Sequence, residues 1–267
     1  MAPDRETDGA GDYRAFVPVA LSNLLPLAGV VVLDWAVVQV LATYWIEMAA
    51  MLGAYSVAAL FAERPIRLEG RSVYLPGVGK NTELDPKWRE EPDPVGLPGP
   101  LPPVYRRNAF LVFMSLVFGV FWIAVPLWGD FPYVDVASAV SPAVLAAAVG
   151  ILVSQLVELR REFFGKRRYE ELSVHMVLEI PIRIIAFMGS VLLVLHVGGI
   201  LLLIGIQEAL GPAVFETVLT GRVIAVCYAL VVTAAMLVVE WSRFWARREP
   251  DLGGVATWFT PEDPREP

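Results

Sequence analysis

The residue best placed to do chemistry inside an apolar stretch of this sequence is Glu47. It lies within LATYWIEMAAMLGAYSVAALFA, the stretch Leu41–Ala62, which is otherwise almost wholly apolar. An ionisable group at the centre of a membrane helix costs about 2.5–3.5 kcal/mol on insertion, so a charged Glu47 needs a partner or a wet cavity. Glu47 is therefore the first candidate for an intramembrane site.

Small residues share the helical face of Glu47, and they are Ala50, Ala54 and Ala58. Side chains three or four residues apart stack on one side of a helix. Small side chains mark close helix–helix contacts in membranes, so this face is predicted to point into a helical bundle. A later apolar stretch carries a similar stripe of Ala146, Gly150 and Ser154. The two helices are therefore expected to touch.

Other polar residues are predicted at a depth close to that of Glu47, and they are His196, Tyr44, Asn23 and Arg222. We expect them to form a polar cluster with Glu47 in the outer half of the bundle. Three interpretations of Glu47 stay open. It is neutral and ties helices together by hydrogen bonds, it belongs to a site for a substrate, ion or proton, or a shifted helix boundary places it at the interface.

A second charged group is spaced for one face of a helix. His175, Glu179 and Arg183 follow one another at intervals of four residues, and a Glu–Arg pair at this spacing is mildly favourable. The cluster is predicted at the inner membrane surface, where Arg183 can extend to the headgroups. It is interpreted as a structural anchor, with a lipid headgroup site as the alternative.

The sequence lacks the motifs that usually identify a catalytic or metal centre. HExxH, CxxC and GxSxG do not occur. If helical, the two histidines, His175 and His196, lie about 30 Å apart and cannot ligate one haem or metal. No lysine falls within a predicted span, which excludes a retinal Schiff base. We therefore predict no catalytic residues, no metal and no cofactor.

Composition defines the main partner as a lipid bilayer. The chain is 56% hydrophobic and 18% charged, whereas soluble domains are about 45–50% apolar and about 25% charged. The net charge of −7 gives no basic excess for nucleic-acid binding. An acidic, arginine-rich and lysine-poor chain is common in salt-adapted organisms.

The apolar blocks are long enough for six membrane spans, since one crossing needs about 20 helical residues. The fold class is predicted to be all-α, a polytopic membrane helical bundle whose first two spans form a hairpin. Pro181 is expected to kink the fifth span or to mark its start. The segments are a polar tail at 1–14, spans one and two at 15–62, a Pro-rich loop at 63–108, spans three and four at 109–159, a basic loop at 160–173, spans five and six at 174–240, and a tail at 241–267.

The basic residues divide unevenly between the two sides of the membrane. Of the 21 lysines and arginines, only Arg222 lies in a predicted outer loop and only Arg183 lies within a span. Cytoplasmic loops are enriched in Lys and Arg, so both chain ends and both long loops are predicted to be cytoplasmic. The short loops that hold Asp34, Asp130 and Asp135 are then external. We expect a multi-pass protein of the cell membrane.

Two stretches, SNLLPLAGVVVLDWAVVQVLATYWIE and EIPIRIIAFMGSVLLVLHVGG, resemble an uncharacterised family of multi-pass membrane proteins. This domain-of-unknown-function family is found in halophilic archaea and some bacteria. The resemblance covers most of the membrane part and implies a topology and a choice of polar residues, without a reaction. The residues that carry it are Asn23, Pro26, Trp35, Tyr44, Trp45, Glu47, Pro181, Arg183 and His196.

Three functions are compatible with these residues. The first is binding or transport of a small solute or ion through the cluster around Glu47. The second is a scaffold whose cytoplasmic loops recruit a protein partner, with the Pro-rich loop as an extended ligand or a solvated linker. The third, and least supported, is an intramembrane enzyme acting on a lipid with Glu47 and His196 as acid and base. The sequence gives no oligomeric state.

Overall fold

The computed structural model describes residues 16–68, 74–79, 81–82, 85–89, 94–99, 101–124, 139, 141–246 and 258. Most of them are helical, which confirms the helical character of the predicted fold. Two short strands pair antiparallel in the described Pro-rich loop, β1 at Pro94–Val95 and β2 at Val104–Tyr105. The predicted tail 1–14, most of the tail 241–267, and Asp130 and Asp135 lie outside the described residues.

The helices follow the predicted apolar blocks closely. A π-helical segment, Leu159–Phe164, directly continues the helix Pro142–Glu158. Short 3₁₀ turns lie at Arg106–Asn108 and Arg168–Glu170. In chain order the α-helices are α1 Val17–Val32, α2 Val37–Leu60, α3 Pro86–Arg89, α4 Ala109–Ala124, α5 Pro142–Glu158, α6 Val174–Leu210, α7 Pro212–Val218 and α8 Gly221–Ala246.

Within the described residues, five helical stretches are long and apolar enough to cross a membrane. They indicate an integral membrane protein, because one crossing of the hydrocarbon core needs about 20 helical residues. Helix α1 is not among them, since it has only 16 residues and is about 24 Å long. The five stretches are Val38–Leu60, Arg106–Ala124, Pro142–Phe164, Val174–Leu210 and Gly221–Trp245.

Helix α6 is the longest, and Pro181 lies inside it. It runs for 37 residues without interruption, or about 55 Å, which exceeds the thickness of a bilayer core. The helix therefore does not begin at Pro181, and the point along it where the membrane span starts stays a prediction. A proline near the beginning of a helix removes one backbone hydrogen bond, and here the helix continues through it.

By its internal contacts the chain divides into two compact units. The first unit holds α1, the first residues of α2, α6 from Val191 onward, α7 and α8. The second holds the rest of α2, the Pro-rich loop with α3 and the two strands, α4, α5, and α6 as far as Ser190.

In the first unit α1 and α8 pack antiparallel along their length. At one end the ring of Phe16 lies 5.0 Å from Trp241 and 5.2 Å from Phe244. At the other end Arg222 Nη1 lies 3.2 Å from Asp34 Oδ1, and its Nη2 donates to the Val31 carbonyl at 3.2 Å. The predicted turn after the first helix is confirmed at Asp34, whose φ is 51°.

In the second unit glycines mark two close helix contacts. A Cβ added to Gly119 of α4 would lie 2.6 Å from Leu52 Cδ2 of α2. A Cβ on Gly189 of α6 would lie 3.0 Å from the Trp122 carbonyl of α4. Glycine lets these backbones approach closely, which is typical of packing between membrane helices.

The inner ends of these helices are joined by hydrogen bonds between loops. Asn108 Nδ2 donates to the carbonyls of Ala59 and Ala62 at 2.9 and 2.8 Å. The amide of Glu63 donates to the Tyr169 carbonyl at 2.8 Å, and Arg107 Nη2 donates to the Glu63 carbonyl. The end of α2 therefore lies beside the starts of α4 and α6, so α2 runs antiparallel to both.

The Pro-rich loop is partly folded in its described portions. Leu75, Trp88 and Tyr105 are buried, unlike the side chains of a solvated linker. Burial and the adjacent Glu63 carboxylate raise the pKa of Tyr105. A strand begins at Pro94, at the edge of a two-stranded pair, where proline costs no ladder hydrogen bond.

The predicted contact through the small residues of α5 is wrong. Ala146, Gly150 and Ser154 are exposed, and a Cβ built on Gly150 would meet no atom within 4 Å. The stripe faces away from the helices of its unit. Helix α2 instead contacts α4, where Leu52 meets Gly119. Asn108 holds the start of α4 against the end of α2 by hydrogen bonds.

Candidate functional site

The most enclosed charged residues of the described chain are the three of the second predicted cluster. His175 and Glu179 are 0% exposed, and Arg183 is 3% exposed. All three lie in the first turns of α6, inside the second unit. Ionisable residues are almost never fully buried unless they are paired, so each of these three residues is expected to have a charged or hydrogen-bonding partner.

Arg183 and Glu179 form an ion pair along one face of α6. Arg183 Nη2 lies 2.6 Å from Glu179 Oε1, and His175 Nδ1 lies 3.8 Å from Glu179 Oε2. The four-residue spacing places each side chain one turn from the next. Glu179 therefore stands between two groups able to carry positive charge, and Arg183 compensates its charge in the interior.

Buried hydroxyls lie at the level of this ion pair on the neighbouring helices. Leu52 of α2 meets Gly119 of α4, and the two helices run antiparallel. Ser56 lies four residues after Leu52 and Ser115 lies four residues before Gly119, so the two serines stand at the same height along the helix axes. The contact of Gly189 with Trp122 places both near the level of Arg183 on α6. Both serines are buried, so polar groups from three helices form one layer of the bundle.

This layer lies inside the bundle and not at its surface. Asn108 and His175 stand near the inner helix ends, and Arg183 is eight residues, or about 12 Å, farther along the axis. The guanidinium of Arg183 is enclosed and pairs with Glu179, and the location of this cluster at the inner membrane surface stays a prediction.

The residues expected around Glu47 are divided between the two units. Tyr44 and Glu47 belong to the second unit; Tyr44 is buried and Glu47 is half-buried. Asn23 and His196, both half-buried, and Arg222 belong to the first unit. Arg222 is exposed and pairs with Asp34. The cluster of these five residues stays a prediction.

Comparison with known proteins places this helical chain in a family. The model of a family of unknown function, DUF6498, matches residues 7–239, which is most of the sequence. The chain belongs to the DUF6498 family. This agrees with the expected resemblance to an uncharacterised family. No curated protein and no solved structure matches the chain.

His175, Glu179 and Arg183 are called the α6 triad below. Their spacing along this DUF6498 chain was predicted from the sequence, but their burial was not. The missed signal is the absence of any polar face around them. Val174, Val177, Leu178, Ile182 and Ile185 cover one side of α6 and are all buried. Met176, Ile180 and Phe187 on the opposite side are apolar as well. A helix that is apolar all round meets only protein or lipid, so charged residues within it are kept away from water.

The triad and Glu47 provide the ionisable groups of the DUF6498 candidate site. Within the described ranges, no three His, Cys, Asp or Glu side chains group as a metal site. A carboxylate between an arginine and a histidine can accept and release a proton or attract a small cation. That chemistry matches a binding or relay site more closely than a hydrolytic one.

Proposed function

We propose that this DUF6498 protein is a six-span membrane protein that moves a small solute or ion, most simply a cation or proton, through ionisable groups inside the bundle. Both chain ends and both long loops lie on the cytoplasmic side. The acidic, arginine-rich composition favours a salt-adapted source. The observation that carries the transport proposal is the enclosure of His175, Glu179 and Arg183, because an ionisable residue inside a membrane span is by default a candidate for a functional site.

The six-span topology is supported by five candidate spans and by the packing of α1 on α8. Phe16 at the start of α1 contacts Trp241 and Phe244 near the end of α8. The chain therefore enters α1 and leaves α8 at the same end of the first unit. If α8 crosses the membrane, α1 follows it across, and the chain ends share one side.

We expect reporter tags at the two chain ends to be on the cytoplasmic face. A reporter that functions only in the cytoplasm, fused before Phe16 or after Ala246, should be active in both positions. The same reporter inserted in the α7–α8 turn at Leu219–Thr220 should be inactive. Opposite results for the two chain ends would contradict the proposed topology, because an even number of spans returns the chain to its starting side.

Within the second unit the ionisable groups are distributed through most of the bilayer thickness. By the same helix levels, Glu47 lies about 3 Å beyond the level of Gly189 of α6 and about 12 Å farther along the axis than Arg183. His175, Glu179, Arg183 and Glu47 thus follow one another over about 24 Å, in a hydrocarbon core about 30 Å thick. Such a series provides successive stations for an ion or proton.

Transport is tested with protons and Na⁺ as the probes. The full chain is reconstituted into liposomes that contain a pH-sensitive or Na⁺-sensitive dye, and a gradient of either ion is imposed. We expect the protein to dissipate one of the two gradients faster than protein-free liposomes do. Glu47→Gln should reduce this rate to the protein-free level, because the amide can neither carry a proton nor hold a cation.

The matched control is Glu216→Gln, which makes the same chemical change at an exposed position of α7. It should transport at the wild-type rate. Equal dissipation by wild-type and protein-free liposomes would contradict transport of both probes. A folded Glu47→Gln variant with wild-type flux would remove Glu47 from the pathway.

A scaffold function is the second candidate, and the strand pair β1–β2 favours it. The connection between the strands carries Leu97 and Leu101 with exposed side chains, among prolines and glycines. Exposed apolar residues on a Pro-rich connection are suited to a groove of a partner protein. Deletion of Glu83–Pro103 that abolishes the cellular phenotype, while Glu47→Gln leaves it intact, would favour this function over transport.

A further inference from the structure

A turn of the cytoplasmic loop packs directly against the start of α4. Gly77 has a φ of 83°, in the left-handed region that favours glycine. A Cβ at this position would lie 2.9 Å from Met114 Cγ and 3.3 Å from Phe110 Cε1. The segment Tyr74–Gly79 therefore lies beside the first two turns of the helix and does not extend away from it.

The face of α4 that the turn contacts is also the face that meets lipid. Phe110, Phe113 and Val117 are 49%, 61% and 50% exposed. With Met114 they follow the spacing of one helical stripe. Large apolar side chains exposed at this level along a candidate span are covered by lipid. The turn is therefore at the edge of a lipid-facing surface.

The exposed Arg106 indicates the depth of this contact. It directly precedes the first turn of α4, and a long basic side chain beside the end of a span extends to the headgroups. Phe110 and the turn beside it therefore lie near the boundary between headgroups and hydrocarbon.

Lys87 lies over the same part of α4. Its Nζ is 5.2 Å from the centre of the Phe110 ring and 5.5 Å from that of the buried Trp88. Its other contact in the described residues is an exposed pair with Asp85 at 3.5 Å. An exposed ammonium at the first turn of a span is positioned to reach the phosphates of the adjacent leaflet.

We propose that the turn Tyr74–Gly79 and Lys87 form an interfacial surface that lies in the headgroup layer of the cytoplasmic leaflet, with Lys87 contacting lipid phosphate. The turn suits this position, because YLPGVG carries no charged side chain. The surface depends on the packing of the loop on α4 and is independent of transport.

The test measures the depth of single labelled positions in the full-length protein. Cys227, the one cysteine of the chain, is replaced by alanine. Single cysteines are introduced as Val78→Cys and Lys87→Cys and are labelled with an environment-sensitive fluorophore. The protein is placed in nanodiscs of phosphatidylcholine and phosphatidylglycerol, with or without a lipid that carries a nitroxide on its headgroup. Iodide serves as the aqueous quencher.

Two control positions calibrate the measurement. Val117→Cys is placed on the lipid-facing stripe about 10 Å deeper than Phe110 along α4. Gly96→Cys is placed beside β1, where a Cβ meets no atom within 4 Å. We expect the labels at 78 and 87 to lose most of their emission to the headgroup nitroxide and to be shielded from iodide relative to the label at 96.

Strong quenching by iodide at both 78 and 87, equal to that at 96, with no effect of the nitroxide lipid, would overturn the proposal. Nitroxide quenching at 78 alone would overturn the assignment of Lys87 to this surface. Loss of ion flux in the transport assay leaves these results unchanged, so the two proposals fail separately. Replacement of surface residues by cysteine is mild, and correct folding of each labelled variant is checked by its elution as a single species in size-exclusion chromatography.

Discussion

Replacing Arg183 by alanine should lower the free energy of unfolding by about 3–5 kcal/mol, the usual cost of removing one partner of a buried ion pair. Arg183 is enclosed and its Nη2 lies 2.6 Å from Glu179 Oε1. Without the guanidinium, the Glu179 carboxylate is left in a low-dielectric interior, or it must take up a proton. Denaturant titration in mixed micelles measures the loss.

The free energy of unfolding is expected to fall because one partner of the ion pair is left unpaired, and not because charge is removed from the interior. The double variant Glu179→Leu, Arg183→Leu replaces both charges with apolar groups of suitable length, and such exchanges are often close to neutral. It should therefore be more stable than Arg183→Ala. Arg167→Ala is the matched control, because Arg167 also pairs with a glutamate, Glu170, but is exposed. It should leave stability unchanged.

A small effect of Arg183→Ala, similar to that of Arg167→Ala, would contradict the assignment of a dry interior to this site. It would mean that water reaches Glu179 in the folded protein. That outcome would still be compatible with ion passage, since a wet cavity also stabilises the charge. The double variant separates the two cases, because adding two leucines to a water-filled cavity costs stability.

The sequence was sufficient to predict the long helices α2, α4, α5, α6 and α8, because each is a long apolar block bounded by polar residues. The turn at Asp34, the start of α5 at Pro142 and the long helix that contains Arg183 follow from composition and length. Hydropathy reports how a segment divides between water and lipid. It does not report which side of a helix meets protein and which meets lipid.

Predictions that depended on such contacts were less successful. The stripe of Ala146, Gly150 and Ser154 has the composition of a helix contact, yet it is exposed. The contact that forms uses Gly119, because the inner end of α4 is held against α2. In the Pro-rich loop, composition indicated a solvated linker, whereas Trp88 is buried. Long-range contacts decide these outcomes, and no local pattern encodes them.

The side chain of Asn108 connects the end of α2 to the start of α4. No pattern in the sequence predicted this contact. Asn108 is fully buried, and its Nδ2 donates to the carbonyls of Ala59 and Ala62. The last carbonyls of a helix have no partner within the helix. A single amide group from the start of α4 therefore completes the hydrogen bonding at the end of α2.

Replacing Asn108 by alanine should lower the free energy of unfolding by about 1–3 kcal/mol, the cost of leaving a buried acceptor without a donor. The Ala62 carbonyl loses the Asn108 amide, whereas the Ala59 carbonyl still accepts from the Ala62 amide at 3.3 Å. Asn108→Asp keeps the volume but turns an acceptor toward the two carbonyls, so it should be at least as damaging. Ser190→Ala is the control: its hydroxyl donates at 2.7 Å to the carbonyl of Ala186 within α6, where the helix already provides a donor. That variant should be close to wild type.

The effect of Asn108→Ala should also be local in hydrogen exchange. The amides of Glu63 and Arg64 donate to the carbonyls of Tyr169 and Leu172, and these bonds hold only while the end of α2 stays in place. Faster exchange at these two amides, with unchanged exchange in the middle of α2, is the expected pattern. Uniformly faster exchange would instead indicate that Asn108 stabilises the whole unit. Because Leu172 precedes His175 by only three residues, we expect opening of this junction to expose the start of α6 to water.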